Sequence, residues 1–488
     1  MKKKYLYIFT LLFIAGFPFG NTCYKVFRGV SVFFFHHFEK SAPFVVKLPP
    51  PFQKYISFYL TDFWIIALFI GALFLKEIRV KELFFNRHSR YLTLYTIAAA
   101  LSIAFSLFAS YYFQYVTLIN LTIAFIAFHL IYLLFKKEKQ WISYALWMFI
   151  AIAAFECVIG SGQFLMQKSL GLRWLSELQL NPTTANIAAY PLTEKNRFFF
   201  DRLPWIGQEH YQILRTYGTF EHPNVFGGYL LISLFVSYYL FITSKKKWQR
   251  ALLSAFIPFS IFALALTFSR GSFFAWILGT IVFFTVSLFH RNLYTKKEKK
   301  QCLKLSGSIA GGLLLAITLL FEQLAVRGGF VNYNTLSGAS DSGRILYYKL
   351  AASLFLHRPF LGIGHNGFAL FPYEKIDETL AYANPSGELS HNIYLQIASE
   401  TGLVGICLFL LFLFSIIRPL LKAKLTPLTL TLTTILSSLL LIGMIDHFLW
   451  AYPAGRLMLF IFSALLAAST SLSTEHPQEN KEYQKYPM

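Results

Sequence analysis

Cysteines and charged residues are scarce in this sequence, and each shortage excludes a class of protein. The 488 residues include only four cysteines, which lie far apart: Cys23, Cys157, Cys302 and Cys407. This spacing excludes both a disulfide framework and a cysteine-ligated metal site. Charged residues make up 14% of the chain and hydrophobic residues 56%. A composition this apolar excludes a soluble protein of several domains.

Long apolar runs recur along the chain and indicate helices that cross a membrane, because a helix satisfies its own backbone hydrogen bonds in lipid. We expect about twelve such spans, at residues 5–20, 56–75, 91–109, 115–135, 142–162, 223–243, 250–268, 271–290, 304–322, 402–418, 428–446 and 455–471. The first is expected to stay as an uncleaved helix, because no small-x-small cleavage site follows it. The predicted fold is all-α, a single polytopic membrane domain over residues 1–472 with a polar cytoplasmic tail over 473–488.

The sequence carries 44 Lys and Arg against 23 Asp and Glu, a formal net charge of +21. In a soluble chain this charge would favour nucleic-acid binding, but here the basic residues concentrate in short loops, at residues 76–90, 136–139, 245–250, 291–304 and 418–424. Such loops face the cytoplasm in membrane proteins. We therefore expect cytoplasmic N- and C-termini and no nucleic-acid partner. The same alternation predicts external segments at residues 21–55, 163–222 and 323–401, the last a large loop that contains short helices.

One short stretch places an ionisable histidine shortly before an apolar run. Ser390 is a good N-cap, which would place His391 in the first turn of a helix that continues to Glu400 and breaks at Gly402. The positive end of the helix dipole favours a neutral imidazole, which is the form that accepts a proton. His391 is therefore a candidate general base at a membrane surface. The alternative is a histidine that hydrogen-bonds a loop carbonyl.

Five ionisable residues lie at predicted external ends of spans: Asp62, Glu156, Glu322, Asp446 and His447. An ionised group is costly inside lipid, so such positions are informative. Each residue alone is explained by solvation at the membrane interface. Together they border an outward-facing vestibule.

Two arginines lie beside this expected vestibule. Arg215 opens a polar segment before a predicted span, and Arg270 lies in a tight external turn, where the positive-inside rule does not place a basic residue. A guanidinium group binds two phosphate oxygens at once, so arginines that converge at a membrane surface favour a lipid-linked diphosphate as ligand. The alternative for Arg270 is an ion pair with Glu156, Glu221 or Asp446.

A further polar region lies in the last external loop. We expect an amphipathic helix over residues 344–356, capped by Asp341 or Ser342. After this helix, a glycine-containing turn delivers His365 or Asn366 toward the site.

With these residues in this order, the chain resembles the O-antigen ligase and O-antigen polymerase superfamily of bacterial envelope glycan enzymes. Four segments carry the resemblance: Arg215, Gly218, Thr219, Phe220, His222, Pro223 and Asn224; Ser269, Arg270 and Gly271; Gly343 and Arg344, with Pro359, Gly362 and Gly364 after them; and His391, Asn392, Leu395, Glu400 and Gly402. Each motif is loose alone, but their order along a chain of many spans is specific. The resemblance covers residues 90–460, with a ligase-like core over residues 200–420.

The resemblance implies a metal-independent, inverting transfer of a glycan from an undecaprenyl diphosphate carrier to an acceptor hydroxyl, on the external face of the bacterial inner membrane. It assigns His391 as the general base and Arg215 and Arg270 to the diphosphate, with Arg344 a further candidate. Auxiliary roles are expected for His365, Asn392, His222, Glu400 and Asp446. The expected partners are the lipid-linked donor, a saccharide or lipid-linked acceptor and the bilayer. Neither a cofactor nor a metal is expected.

Three functions fit these residues. A ligase moves a finished polymer onto a different acceptor, such as lipopolysaccharide, a wall polymer or a protein hydroxyl. A polymerase joins repeat units that remain lipid-linked and needs the same chemical groups. We favour the ligase, because the motifs lie together in one large external loop near the C-terminus. The third function is transport of lipid-linked glycans, but transporters usually show internal repeats and polar groups at the bilayer midplane, which this sequence lacks.

Overall fold

The computed structural model describes residues 2–21, 60–106, 111–138, 140–182, 187–191, 212–290, 292–327, 337–370 and 388–475. Its helices are α1 (Lys2–Gly16), α2 (Leu60–Phe74), α3 (Lys81–Phe85), α4 (Ser89–Ala104), α5 (Tyr111–Lys137), α6 (Gln140–Met166), α7 (Pro223–Thr243), α8 (Lys247–Leu266), α9 (Arg270–Phe289), α10 (Lys296–Arg327), α11 (Ser337–His357), α12 (Ile393–Ile417), α13 (Pro427–Ile442), α14 (Phe448–Ala451) and α15 (Pro453–Glu475). Short 3-10 helices occupy Phe17–Asn21, Arg173–Leu175, Phe368–Leu370 and Arg418–Leu421. One antiparallel pair joins β1 (Ala189–Pro191) to β2 (Gln212–Leu214).

A helix occupies each predicted span. In the described part of the chain, eight helices are long and apolar enough to cross a membrane: α5, α6, α7, α8, α9, α10, α12 and α15. Two more apolar helices, Thr61–Phe74 in α2 and Pro427–Ile442 in α13, are shorter. The all-α polytopic membrane fold is therefore confirmed. The count of twelve spans, the single-domain division and the bounds of the external loops stay predictions.

Helix α7 is buried over nearly its whole length, and its first turns contact two other segments closely. A Cβ on Gly227 would lie 2.9 Å from Ser272 Oγ on α9. A Cβ on Gly228 would lie 2.6 Å from a ring carbon of Phe448 on α14. The glycines thus allow the starts of α7 and α9 and the short helix α14 to meet at one place.

Helix α12 is interrupted at Gly402, where φ is +66° and ψ is −166°. The turn that follows α11 packs into this interruption, and the backbone N–H of Leu403 donates to the carbonyl oxygen of Pro359 over 2.7 Å. A Cβ on Gly402 would lie 2.3 Å from the carbonyl carbon of Phe360, so a larger residue has no room. The break predicted at Gly402 is confirmed, and its cause is this close packing of the preceding turn.

Helix α11 is longer than the sequence predicts. It begins at Ser337, so Asp341 and Ser342 lie inside the helix, and the expected cap at these residues is wrong. Glycine is a poor helix former, and Gly338 and Gly343 in this segment explain why the sequence indicates a later start.

Two of the basic loops meet the N-terminus at one place in the structure. The Nζ atom of Lys3 lies 3.6 Å from Glu77 Oε2 and 3.9 Å from Glu138 Oε1. The Nζ atom of Lys137 lies 3.3 Å from the same oxygen of Glu77. These contacts join α1 to the loops after α2 and α5, which agrees with the charge pattern that assigns all three segments to one side of the membrane.

Candidate active site

Two histidines from distant parts of the chain meet at the candidate site. His391 precedes α12, and His447 lies between α13 and α14. Their Nδ1 atoms are 3.2 Å apart, and their rings pack edge to face with centroids 4.5 Å apart. At this separation one Nδ1 atom carries a hydrogen and the other accepts it. The tautomer of one ring therefore determines the tautomer of the other.

Asn392 caps α12 and ties it to the segment after α13. Its side-chain oxygen accepts hydrogen bonds from the backbone N–H groups of Tyr394 and Leu395, at 2.9 and 3.0 Å. Its Nδ2 atom donates to the carbonyl oxygen of Met444 over 3.0 Å. Because Met444 lies three residues before His447, this contact holds the two histidine-bearing segments together.

His391 lies just outside α12, with a φ of +53°. The prediction that Ser390 caps the helix and that His391 occupies its first turn is therefore wrong. Serine and asparagine are equally good caps, so the sequence alone does not distinguish Ser390 from Asn392. The left-handed backbone turns His391 out of the helical path toward His447.

His391 is neutral at neutral pH. Its pKa is lowered from 6.5 to about 4, first by burial and then by His447 and Arg344, while Asp446 and Glu388 act in the opposite direction. The neutral imidazole expected from the sequence is thus present. Its main cause is burial rather than a helix dipole.

Asp446 completes a cluster with the two histidines. One donor atom from each of His391, His447 and Asp446 lies within 4.8 Å of the other two. The carboxyl of Asp446 accepts hydrogen bonds from the backbone N–H of Phe448 over 3.2 Å and from Asn224 Nδ2 over 2.6 Å. Burial would raise its pKa, but the neighbouring histidines and an arginine outweigh burial and hold the pKa below its ordinary value. The group is therefore a carboxylate.

Arg215 reaches this carboxylate through Asn224. Its Nη2 atom donates to Asn224 Oδ1 over 2.6 Å, and its Nε atom donates to the carbonyl oxygen of Thr267 over 2.8 Å. The side chain is only 7% exposed. An amide thus stands between Arg215 and Asp446, and the same arginine binds the turn that leads into Arg270.

Arg270 begins α9 and lies in the turn against which Arg215 is hydrogen-bonded. Its side chain is half-buried. A Cβ on the next residue, Gly271, would lie 3.0 Å from Ile445 Cδ1. This turn therefore packs against the segment that carries Asp446.

Arg344 approaches the histidine pair from α11. Its positive charge contributes to the lowered pKa values of both His391 and His447. One turn further along α11, the ring of Tyr347 packs against His391 with centroids 5.9 Å apart. Helix α11, which lies in the last predicted external loop, thus covers one side of the candidate base.

His222 belongs to the same cluster through Tyr452. The ring of Tyr452 stacks on both His222 and His447, with centroid distances of 6.2 and 6.1 Å. His222 also caps α7, because its Nδ1 atom accepts a hydrogen bond from the backbone N–H of Asn224 over 3.1 Å. Its pKa is lowered to about 3, first by burial and then by Arg215, so the ring is neutral.

Glu400 organises the backbone that leads into the site. Its carboxyl accepts a hydrogen bond from the backbone N–H of Asn366 over 2.8 Å. The side chain of Gln396 donates to the same carboxyl and accepts a hydrogen bond from the backbone N–H of Ser390 over 3.0 Å. Gln396 therefore links the carboxyl of Glu400 to the backbone of Ser390, the residue before His391.

His365 lies with Glu400 at the interruption of α12. Its Nδ1 atom is 3.8 Å from Glu400 Oε2, which is beyond hydrogen-bond distance, and the residue is 4% exposed. Its pKa is lowered to about 3, first by burial and then by Arg456. Among the described residues, no hydrogen bond or ring contact joins His365 to His391. The sequence leaves open whether His365 assists His391 or only packs, and the auxiliary role of His365 stays a prediction.

Glu156 supports the segment that carries Arg215 rather than the histidine cluster. Its carboxyl accepts hydrogen bonds from the backbone N–H of Thr219 over 3.0 Å and from the hydroxyl of Thr219 over 2.6 Å. The side chain of Glu322, the other glutamate predicted to border the vestibule, lies outside the described residues.

Residues 255–410 match the family model for O-antigen ligase. This match covers about a third of the chain and supports the resemblance to the O-antigen ligase and polymerase superfamily. The matched part runs from α8 into α12 and includes Arg270, Arg344 and His391. No curated protein matches the chain. The resemblance drawn from the motifs is confirmed, and the match supports a membrane enzyme of the O-antigen ligase or polymerase type.

Four residues of this candidate site are not selected as site residues by the sequence. His447 and Asn224 carried a signal, since His447 ends an apolar span beside Asp446, and Asn224 closes the motif of Arg215. Gln396 and Tyr452 carried no such signal. An amide such as Gln396 is common in a first helical turn, and a tyrosine such as Tyr452 is common near a membrane interface. Their positions become visible only once α12, α14 and α15 are packed together.

Proposed function

We propose that this O-antigen ligase-like protein transfers a glycan from an undecaprenyl diphosphate carrier to an acceptor hydroxyl, with His391 as the general base. The observation that carries the proposal is the contact between His391 and His447, which gives a neutral histidine with one ring nitrogen already engaged. The family match favours an enzyme over the transporter that the sequence leaves open.

The proton of the acceptor hydroxyl goes to His391. When Nδ1 of His391 donates to Nδ1 of His447, its Nε2 atom keeps a lone pair that accepts this proton. The acceptor oxygen forms a bond to the anomeric carbon while the bond from that carbon to the diphosphate oxygen breaks, and this single displacement inverts the anomeric configuration. Asp446 lies beside the imidazolium that results and stabilises its charge.

The leaving diphosphate is held by arginines on three segments. Arg270 lies at the N-terminus of α9, where the helix dipole adds to its positive charge and favours an anionic ligand. Arg344 is close enough to His391 to lower its pKa, and it therefore brings a cation near the reacting groups. Arg215, fixed by Asn224 and Thr267, adds a third guanidinium. Their combined charge offsets the charge that develops as the diphosphate leaves.

The site is assigned to the external face of the bacterial inner membrane, with both termini in the cytoplasm. The contacts of Lys3 and Lys137 with Glu77 support this orientation, because they gather basic segments at one place. A cysteine in place of the exposed Glu388 should react with a membrane-impermeant maleimide on intact spheroplasts, and a cysteine in place of the exposed Lys300 should not. The opposite pattern would reverse the orientation.

The reaction is tested in a strain that lacks the gene, complemented with the wild type or with His391→Ala. We expect long polymer stranded on the lipid carrier in the deletion strain and no rescue by the variant. Single repeat units on the normal acceptor would instead assign the polymerase reaction to the same site. Full rescue by His391→Ala at equal membrane abundance would remove His391 as the base, and an unaltered envelope glycan in the deletion strain would overturn the proposed function.

A further inference from the structure

His391, His447 and Asp446 have the composition and spacing of a metal site. Each offers one ligand atom, and the three atoms lie within 4.8 Å of one another. The 3.2 Å between the two Nδ1 atoms is close to the ~3.4 Å expected between two imidazole nitrogens on a tetrahedral zinc ion. Two histidines and a carboxylate, with water in the fourth position, are a common zinc ligand set.

The surroundings of the cluster already hold one ligand in place. Asp446 receives hydrogen bonds from Asn224 Nδ2 and from the backbone N–H of Phe448, which fix the carboxylate as outer-shell groups fix metal ligands elsewhere. The charge of Arg344 opposes a cation here, and the Asp446 carboxylate offsets it.

We propose that His391, His447 and Asp446 bind one zinc-like divalent transition metal ion, and that this ion inhibits glycan transfer. A metal on Nδ1 of His391 leaves the hydrogen of the neutral ring on Nε2. The nitrogen that would accept the proton of the acceptor hydroxyl then has no lone pair. The inhibition rests on the proposed role of His391 as base, whereas binding of the metal does not.

Binding is tested with Co²⁺ on the full-length protein, purified in detergent without a polyhistidine tag. We expect one bound ion per chain with the intense visible absorption of tetrahedral Co²⁺, displaced by an equal amount of Zn²⁺. His447→Ala should lose more than about tenfold in affinity, and Asn224→Ala about tenfold because it removes only the outer-shell contact. His357→Ala, an exposed histidine at the end of α11, should bind as the wild type does. Equal binding by His447→Ala would overturn the site.

Inhibition is tested separately by transfer assays on metal-free protein. Zn²⁺ should abolish transfer at the concentration that saturates the Co²⁺ signal, and a chelator should restore it. Transfer that is unchanged or increased with the site fully occupied would overturn the inhibition. Absence of transfer both with and without the metal would count against the proposed function alone, because the Co²⁺ spectrum reports the site without any turnover.

Discussion

The Nδ2 atom of Asn224 donates a hydrogen bond of 2.6 Å to Oδ2 of Asp446, and this contact joins the start of α7 to the segment that carries His447. The other end of the same amide accepts a hydrogen bond from Arg215. Asn224 thus keeps a cation and an anion apart while it orients both. A side chain that only donates or only accepts cannot do so.

Asn224→Asp should therefore impair transfer more than Asn224→Ala. Alanine removes a hydrogen bond to a charged group, worth about 1.5–3 kcal/mol, and should lower kcat roughly 10- to 100-fold. Aspartate places a second carboxyl against Asp446, so one of the two holds a proton and the charge beside His391 is disturbed. The measurement is the transfer rate at saturating donor, with Ser237→Ala on the same helix as control, since the Ser237 hydroxyl donates to the carbonyl oxygen of Leu234 in that helix. Equal rates for both variants and the wild type would contradict a positioning role for Asn224.

Transfer should lose activity only in strongly acidic solution. The pKa of His391 is about 4, so the imidazole stays neutral as pH falls through 6.5 and becomes protonated only near pH 4. The unfolded chain takes up this proton near 6.5, so the free energy of unfolding also falls as pH drops from 6.5 to 4. The rate at saturating donor, measured against pH, checks the first statement. An acid limb at pH 6.5 would mean that His391 is not the titrating base.

Arg344→Gln should move that acid limb to higher pH. The substitution removes a positive charge that lowers the pKa of His391, so the imidazole becomes protonated earlier as pH falls. Arg358→Gln, just after the end of the same helix, keeps the charge near His391 and should leave the limb in place. A limb that moves equally in both variants would reflect net charge rather than the local effect of Arg344.

Arg270→Lys should weaken donor binding although it keeps the charge. Lysine loses the planar pair of donors that binds two phosphate oxygens, so KM for the lipid-linked donor should rise about tenfold, or ~1.4 kcal/mol. Arg250→Lys is the matched control, because Arg250 lies at the opposite end of α8 and donates to the carbonyl oxygen of Ser244. Donor affinity that is unchanged in Arg270→Lys would exclude a bidentate contact with the diphosphate.

The spans could be predicted from the sequence because each is a local signal, and the family resemblance because the order of its motifs can be read along the chain. A run of apolar residues needs no partner to be identified as a membrane helix. The motif at His391 likewise lies within one short stretch of sequence. The helix break at Gly402 was predicted from the glycine alone. The start of α11 was predicted wrongly because glycines in the segment mask a helix that packing stabilises.

The partners of His391 could not be predicted, because they come from segments far apart in sequence. His447 lies beyond α12 and α13, and Asn224 lies in the first turn of α7, so only the packed helices bring His447 to His391 and Asn224 to Asp446. The N-cap residue of α12 could not be predicted for a similar reason. Ser390 and Asn392 have equal propensity, but Asn392 also donates a third hydrogen bond, to the carbonyl oxygen of Met444, which the sequence does not show.

Gly402→Ala should destabilise the protein and displace the loop of His391. The residue has a φ of +66°, and its new Cβ would lie 2.3 Å from the carbonyl carbon of Phe360. The strained backbone and the steric overlap together should cost about 3 kcal/mol or more. The turn that would have to move also contacts Glu400, which supports Ser390 through Gln396.

Gly307→Ala should stabilise the protein, in contrast to Gly402→Ala. Gly307 lies inside α10 and a Cβ there would meet nothing within 4 Å, so alanine should raise stability by about 0.5–1 kcal/mol. Thermal unfolding in detergent should therefore shift downward for Gly402→Ala and slightly upward for Gly307→Ala. If Gly402→Ala unfolds like the wild type, the close contact between Gly402 and Phe360 does not form, and the turn cannot fix the backbone before His391.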